Sequence, residues 1–213
     1  MGLAISVGML AELLEDDPEG AAWFETGLSA ANKLLVQAGL PAHVEPRSLE
    51  LSQSRASIES FPYSFIHYLR RAYAHRCANP SWVASALSED EDPINDPVLE
   101  AEGDMLRSHL LCHSDAEGFY LPVDFNEVLF ADEDCGLPGG MLGSSYRLLD
   151  ELIVAAPALG IRLDAGQLSD DEAARIDELA CSGEGMFREY CSWLALYEAA
   201  RISIEYKTAV VFC

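Results

Sequence analysis

The chain has 213 residues, half of them apolar and only 23% charged, which is enough apolar material for a folded core and excludes overall disorder. Its 36 aspartates and glutamates stand against 13 lysines and arginines, a formal charge of −23. An excess of this size repels nucleic-acid phosphates and anionic membrane surfaces, and it attracts basic partner proteins over long range.

The opening run LAISVG reads as a buried strand. Met1-Gly2-Leu3-Ala4-Ile5-Ser6 also fits the N-myristoylation pattern, but no polybasic patch follows to supply the second signal that stable anchoring needs. Met9 to Leu14 reads as a short helical turn. Asp17 can cap the first long helix, Pro18 suits its first position, and Gly39 followed by Pro41 closes it. A second helix is expected from Ser60 to about Cys77, with Phe61, Phe65, Ile66, Leu69, Ala72 and Tyr73 on its apolar side. Its opposite side carries Ser64, His67, Arg71 and His75. A hydroxyl, a guanidinium and two imidazoles suit a phosphate or carboxylate, and equally the protein's own acids. Residues 88–97, SEDEDPINDP, are expected to form an acidic flexible loop in a single domain, 1–213.

Residues 109–125 read as a central β-hairpin: His109 to His113 going in, a turn over Ser114 to Gly118, and Phe119 to Phe125 returning. It holds the densest cluster of chemistry-bearing side chains. Cys112, His113 and Asp115 supply the residue types of a thiol hydrolase. Neighbouring strand residues point to opposite faces, however, so a histidine from elsewhere, such as His67 or His75, would have to serve Cys112. His109 and His113 share a strand face ~13 Å apart, too far for one zinc ion; neither a metal nor a cofactor is expected. A purely structural reading also fits, with Ser114 or Asp115 accepting backbone bonds in the turn and Pro122 marking an edge strand. As a binding edge, the hairpin would present His109, Glu117 and Tyr120 beside His67, Arg71 and His75.

Residues 131–145 form a glycine-rich loop whose GLPGGMLGSS lacks the Gly-Lys-Ser/Thr of a phosphate loop. A third helix follows from about Ser145 to Leu159. Ser169-Asp-Asp-Glu172 is a capping box opening a helical region, which Ser182 to Gly185 interrupts before it resumes from Met186 to about Tyr206. Thr208 to Phe212, TAVVF, reads as a final strand. The expected architecture is α+β, about four helices packed on a small sheet containing the 109–125 hairpin.

The six cysteines include no Cys-x-x-Cys pair, so they read as free thiols in a reducing compartment. No basic region precedes the N-terminal apolar residues, and no apolar run approaches the roughly 18 residues of a membrane span. A cytoplasmic protein is expected. The charge is unevenly spread: residues 51–87 carry four arginines and one acid, whereas residues 88–135 carry 15 acids and one arginine. The two stretches can pair with one another across the fold.

The segment His113-Ser-Asp-Ala-Glu-Gly-Phe-Tyr-Leu-Pro-Val-Asp-Phe125, with Ser60-Phe-Pro-Tyr-Ser-Phe-Ile-His-Tyr-Leu69 upstream, resembles a bacterial protein family of this length without an assigned activity. In size and acidity the chain is also similar to immunity proteins that neutralise toxins. These likenesses imply an acidic binding protein, an immunity-type inhibitor or adaptor that docks a basic protein, with no nucleic acid and no membrane as partner. Asp90 to Asp104 would form the rim, and Tyr120 or Trp82 an aromatic anchor. The alternative is a hydrolase or small-ligand sensor at the meeting of the 109–120 hairpin and the 64–75 helix face, with Cys112, His113 and Asp115 as its chemistry; the sequence leans away from an enzyme.

Overall fold

The two ends of the chain are strands, and they pair with each other at the middle of a sheet. β1 (Leu3–Val7) runs antiparallel to β6 (Val210–Phe212), with Ile5 opposite Phe212 and Val7 opposite Val210. β1 also pairs with the short β2 (Ser60–Phe61), and β6 pairs with β3 (Gly118–Leu121), both antiparallel. β3 runs parallel to β5 (Met141–Ser144), which pairs antiparallel with β4 (Leu129–Phe130). The result is a six-stranded mixed sheet in the order β2-β1-β6-β3-β5-β4. The computed structural model describes residues 2–50, 53–88 and 91–213.

Alternation along the strands divides the core in two. Phe119, Leu121, Leu142 and Val211 face α1 (Met9–Asp16) and α2 (Pro18–Gln37), where Phe24 meets Phe119 edge-on at 5.6 Å between centroids. Leu3, Ile5, Tyr120, Val210 and Phe212 face the other way. There they meet α3 (Phe65–Ala78), α6 (Ser145–Ala155), α7 (Asp170–Cys181) and α8 (Phe187–Tyr206). α8 is buried on almost every side, so its apolar residues follow no single stripe, and Trp193 inside it donates its ring N–H to the Leu152 carbonyl at 2.8 Å. Two short helices, α4 (Pro97–Gly103) and α5 (His109–Cys112), complete the layer around α3.

The fold is α+β, but not as four helices on a small hairpin-centred sheet. Eight helices and six strands are present among the described residues. The 109–125 hairpin does not form. His109–Cys112 is a helical turn, capped by the Ser108 hydroxyl, which accepts from the Leu111 N–H at 3.0 Å. Glu151 adds a carboxylate that accepts from the His109 and Leu110 N–H groups at 2.9 and 2.6 Å. Only residues 118–121 enter the sheet, between β6 and β5. The helix expected from Ser60 starts at Phe65, because residues 60 and 61 pair with β1 first.

The glycine-rich run supplies β5, where Gly143 leaves room for the Tyr120 ring: a Cβ there would lie 2.2 Å from a ring carbon. Of the expected acidic loop at 88–97, residues 89 and 90 lie outside the described residues, while Pro93–Asn95 is a 3-10 turn and α4 begins at Pro97. No described helix is long and apolar enough to cross a membrane.

Candidate functional site

Arg70 organises the segment that the sequence marks as richest in chemistry. It is buried, at 5% exposure. Its Nε donates to the Leu110 carbonyl at 2.9 Å, one Nη to the His113 carbonyl at 2.5 Å, and the other Nη to the Asp115 carboxylate. His67 approaches the same carboxylate at 3.1 Å. Burial pushes the Asp115 carboxyl up, but the His67 bond and the Arg70 charge outweigh it and hold the group at about 2.

One turn further along α3, Arg71 and His75 each meet Asp96 at 2.8 Å. The indole of Trp82 stacks on His75 at 4.6 Å and lies 5.4 Å from the Arg71 guanidinium carbon. Burial raises Asp96, and its bonds from His75 and Arg71 bring it down to about 2. The basic stretch 51–87 and the acidic stretch after it therefore neutralise each other where α3 meets α4 and the 113–115 turn.

The remaining candidates sit in the interior. His109 is 1% exposed; its Nδ1 accepts from the Ser144 N–H at 3.0 Å and its Nε2 donates to the Asn126 carbonyl at 3.2 Å. Tyr120 is fully buried and donates its hydroxyl to the His109 carbonyl at 2.9 Å. His113 stacks on Tyr120 at 4.3 Å and abuts Phe212. Its Nδ1 donates to the Ser114 carbonyl at 2.9 Å, while its Nε2 is buried without a partner and faces Gly118, where a Cβ would lie 3.0 Å away.

Burial lowers His113 to about 3 and also lowers His109, so both imidazoles are neutral near pH 7. Burial raises the half-buried Cys112 thiol, which disfavours the nucleophilic thiolate. The two rings, locked by backbone bonds, hold the 109–121 segment in place, and among the described residues no hydrogen bond joins the Cys112 thiol to a histidine. Glu117 alone of this group is exposed. Among the described residues no group of three His, Cys, Asp or Glu side chains is arranged to hold a metal ion.

Sequence reasoning missed two residues that carry this arrangement, Arg70 and Glu151. Both were marked. Ile66, Leu69, Arg70 and Tyr73 fall on one helical stripe, as do Leu148, Glu151, Leu152 and Ala155, and a charge on an apolar stripe must be paired or bonded inside the fold.

The cations are drawn inward. Apart from Arg76 and Arg188, every described arginine has a carboxylate partner, and several of those carboxylates are buried or nearly so: Glu172, Glu198, Asp96 and Glu102. The exposed carboxylates are left with little compensation. At the corner between α1 and α2 lie Glu12, Glu15, Asp16, Asp17 and Glu19, all exposed and without an ion-pair partner among the described residues. The segment that packs against the same side of the sheet carries Glu127, Asp132 and Asp134, exposed in the same way.

The last turn of α1 holds Glu15 and Asp16 and no basic residue. Acids there face the negative end of the helix dipole, an arrangement that costs stability. Along the helix axis Glu12 and Glu15 lie about 4.5 Å apart and Asp16 about 1.5 Å beyond, a dense cluster of like charge.

A family model described as "Putative DNA-mimic protein" matches residues 1–212. No curated protein and no solved structure matches the chain.

Proposed function

The chain belongs to that DNA-mimic family, and from this premise we propose that it occupies the DNA-binding surface of a basic protein, its exposed carboxylates standing where phosphates would stand. The observation that carries the reading is the uncompensated corner of α1 and α2 with the neighbouring 127–134 segment, on a chain of net charge −23. A DNA-binding surface is an array of lysines and arginines fitted to closely packed anions, and such an array is attracted by a rigid scaffold that presents exposed carboxylates at high density.

The family match corrects two expectations drawn from the sequence. Size and acidity suggested an immunity-type inhibitor, but these are general properties that an acidic mimic shares. Nucleic acid was set aside because −23 repels it; the same charge makes the protein a stand-in for nucleic acid. A basic partner is retained and narrowed to one that binds DNA. The small-molecule hydrolase or sensor at the 109–120 segment is likewise set aside, since that segment is a helical turn and a buried strand.

Within this reading Glu117 joins the acidic face, and His67, Arg71, His75, His109 and Tyr120 hold the scaffold that keeps the face rigid. The six thiols, all free, suit a cytoplasmic setting, where DNA-binding partners are found.

Competition provides the test. Tagged protein is exposed to its native lysate, and bound proteins are eluted at constant ionic strength with short duplex DNA or with polyglutamate of equal charge. The proposal expects proteins released by duplex DNA at concentrations where polyglutamate releases little, and expects those proteins to bind DNA themselves. Captured proteins indifferent to DNA would overturn it.

A further inference from the structure

A cleft of about 380 Å³ opens between β1, α1 and the segment at residues 53–59, with α8 beneath it. Its floor is apolar and buried: Ile5, Ala56, Ala195, Ala199 and Ile202. Two exposed carboxylates from separate elements line the cleft, Glu12 on α1 and Glu59 just before β2, together with the polar Ser6, Gln53 and Ser54. Among the described residues, no lysine or arginine lines it.

The neighbouring Arg55 points away from the cleft. Its Nε and one Nη hold Glu198 at 3.0 and 2.6 Å, and its other Nη meets Asp170 at 3.0 Å. These bonds fasten the 53–57 segment across α8 and fix the cleft's outer wall.

We propose that this cleft takes an arginine side chain of the bound protein. The inference rests on the mimicry reading and adds to it a specific anchor point. A long cationic side chain buries its methylene stem on apolar surface while its head stays with charge or water, and the cleft has that division. Two carboxylates on different elements and two hydroxyls suit the five-donor guanidinium fork better than a single ammonium. A densely acidic surface gathers basic proteins in general; a pocket with an apolar floor discriminates among them by the placement of one side chain.

The probe is N-acetyl-arginine methylamide, followed by amide chemical shifts of the labelled protein, with the citrulline counterpart as the neutral control of equal shape. Saturable shifts confined to the cleft are expected with arginine and not with citrulline. Glu12→Gln with Glu59→Gln should weaken the binding roughly tenfold. Glu178→Gln with Glu184→Gln, the same charge change on exposed carboxylates outside the cleft, should leave it unaltered.

Equal shifts from citrulline, shifts spread over the whole acidic surface, or no saturation would overturn the proposal. If the first double variant does not fold, the arginine–citrulline comparison on the unaltered protein still decides. Localised arginine binding without DNA-competed capture would sink the mimicry reading and leave the pocket. DNA-competed capture without localised binding would do the reverse.

Discussion

Arg70 and Glu151 show how a chain so rich in acids builds an interior. Arg70 satisfies two carbonyls and a carboxylate on a segment that has no ladder of its own. Arg70→Met strands those acceptors and should cost about 2–4 kcal/mol in urea unfolding; a loss below about 0.5 kcal/mol would show that water replaces it freely. Glu151 has the opposite balance. Burial raises it to about 7 against three donors, the Leu110 and His109 N–H groups and the Ser108 hydroxyl. A carboxyl with a raised folded-state value contributes stability fully below its unfolded value, here 4.5, and that contribution is lost as pH climbs through about 7. Asp96, Asp115 and Glu172, held at about 2, lose their contribution as pH falls instead. His113, lowered to about 3, and His109 also lose their contribution as pH falls below 6.5, which offsets the Glu151 decline between 4.5 and 6.5. Unfolding free energy should therefore peak at about pH 6.5. Glu151→Gln should be less stable at the peak, because its amide cannot accept all three bonds, yet show a smaller decline above about pH 6.5. Parallel declines in the two proteins would contradict the assignment.

At the level of elements, what was legible was local. Asp17, Pro18 and Gly39 bound α2 because a cap, a fixed φ and a left-handed residue are chemical signals readable one at a time; Asp17 accepts from the Gly20 N–H at 3.0 Å. Ser169 opens α7 by the same logic, accepting from the Glu172 N–H at 3.2 Å, and the break at Ser182–Gly185 separates α7 from α8. The terminal strands were readable as strands, but their pairing across more than 200 residues was not, since no short-range pattern encodes it. The run HLLCH failed for a different reason. Four or five residues do not distinguish one helical turn from a strand, and the deciding groups, Glu151 and Arg70, lie about 40 residues away. The acidic face was legible as charge but not as a place, because only the fold shows which acids the arginines neutralise. β5 was missed because Gly143 weakens a strand by propensity, while the parallel pairing with β3 requires it. Gly143→Ala drives a methyl into the Tyr120 ring and should destabilise by about 2 kcal/mol or more. A thermal midpoint within a degree of the unaltered protein's would mean that β3 and β5 separate without penalty.

Across the whole molecule, the distribution of charge runs against stability. The arginines neutralise carboxylates inside or near the interior, and the exposed acids repel one another with few cations between them. A surface selected for stability would place a cation in the last turn of α1; this chain places Glu15 and Asp16 there. If those acids serve as phosphate surrogates, removing them should move stability and binding in opposite directions. Glu15→Gln with Asp16→Asn relieves both the dipole and the mutual repulsion, and should stabilise by about 0.3–1 kcal/mol per site at low ionic strength, shrinking as salt is added. Affinity for a DNA-competed partner should fall, and the dependence of log affinity on log salt should become shallower, because fewer ions are exchanged on binding. Two features separate this outcome from a trivial one. A variant that merely damaged the fold would lose stability and affinity together, and one that removed idle surface charge would gain stability with affinity unchanged. Only the opposed movement, with the flatter salt slope, identifies the α1–α2 corner as part of the surface that meets the partner.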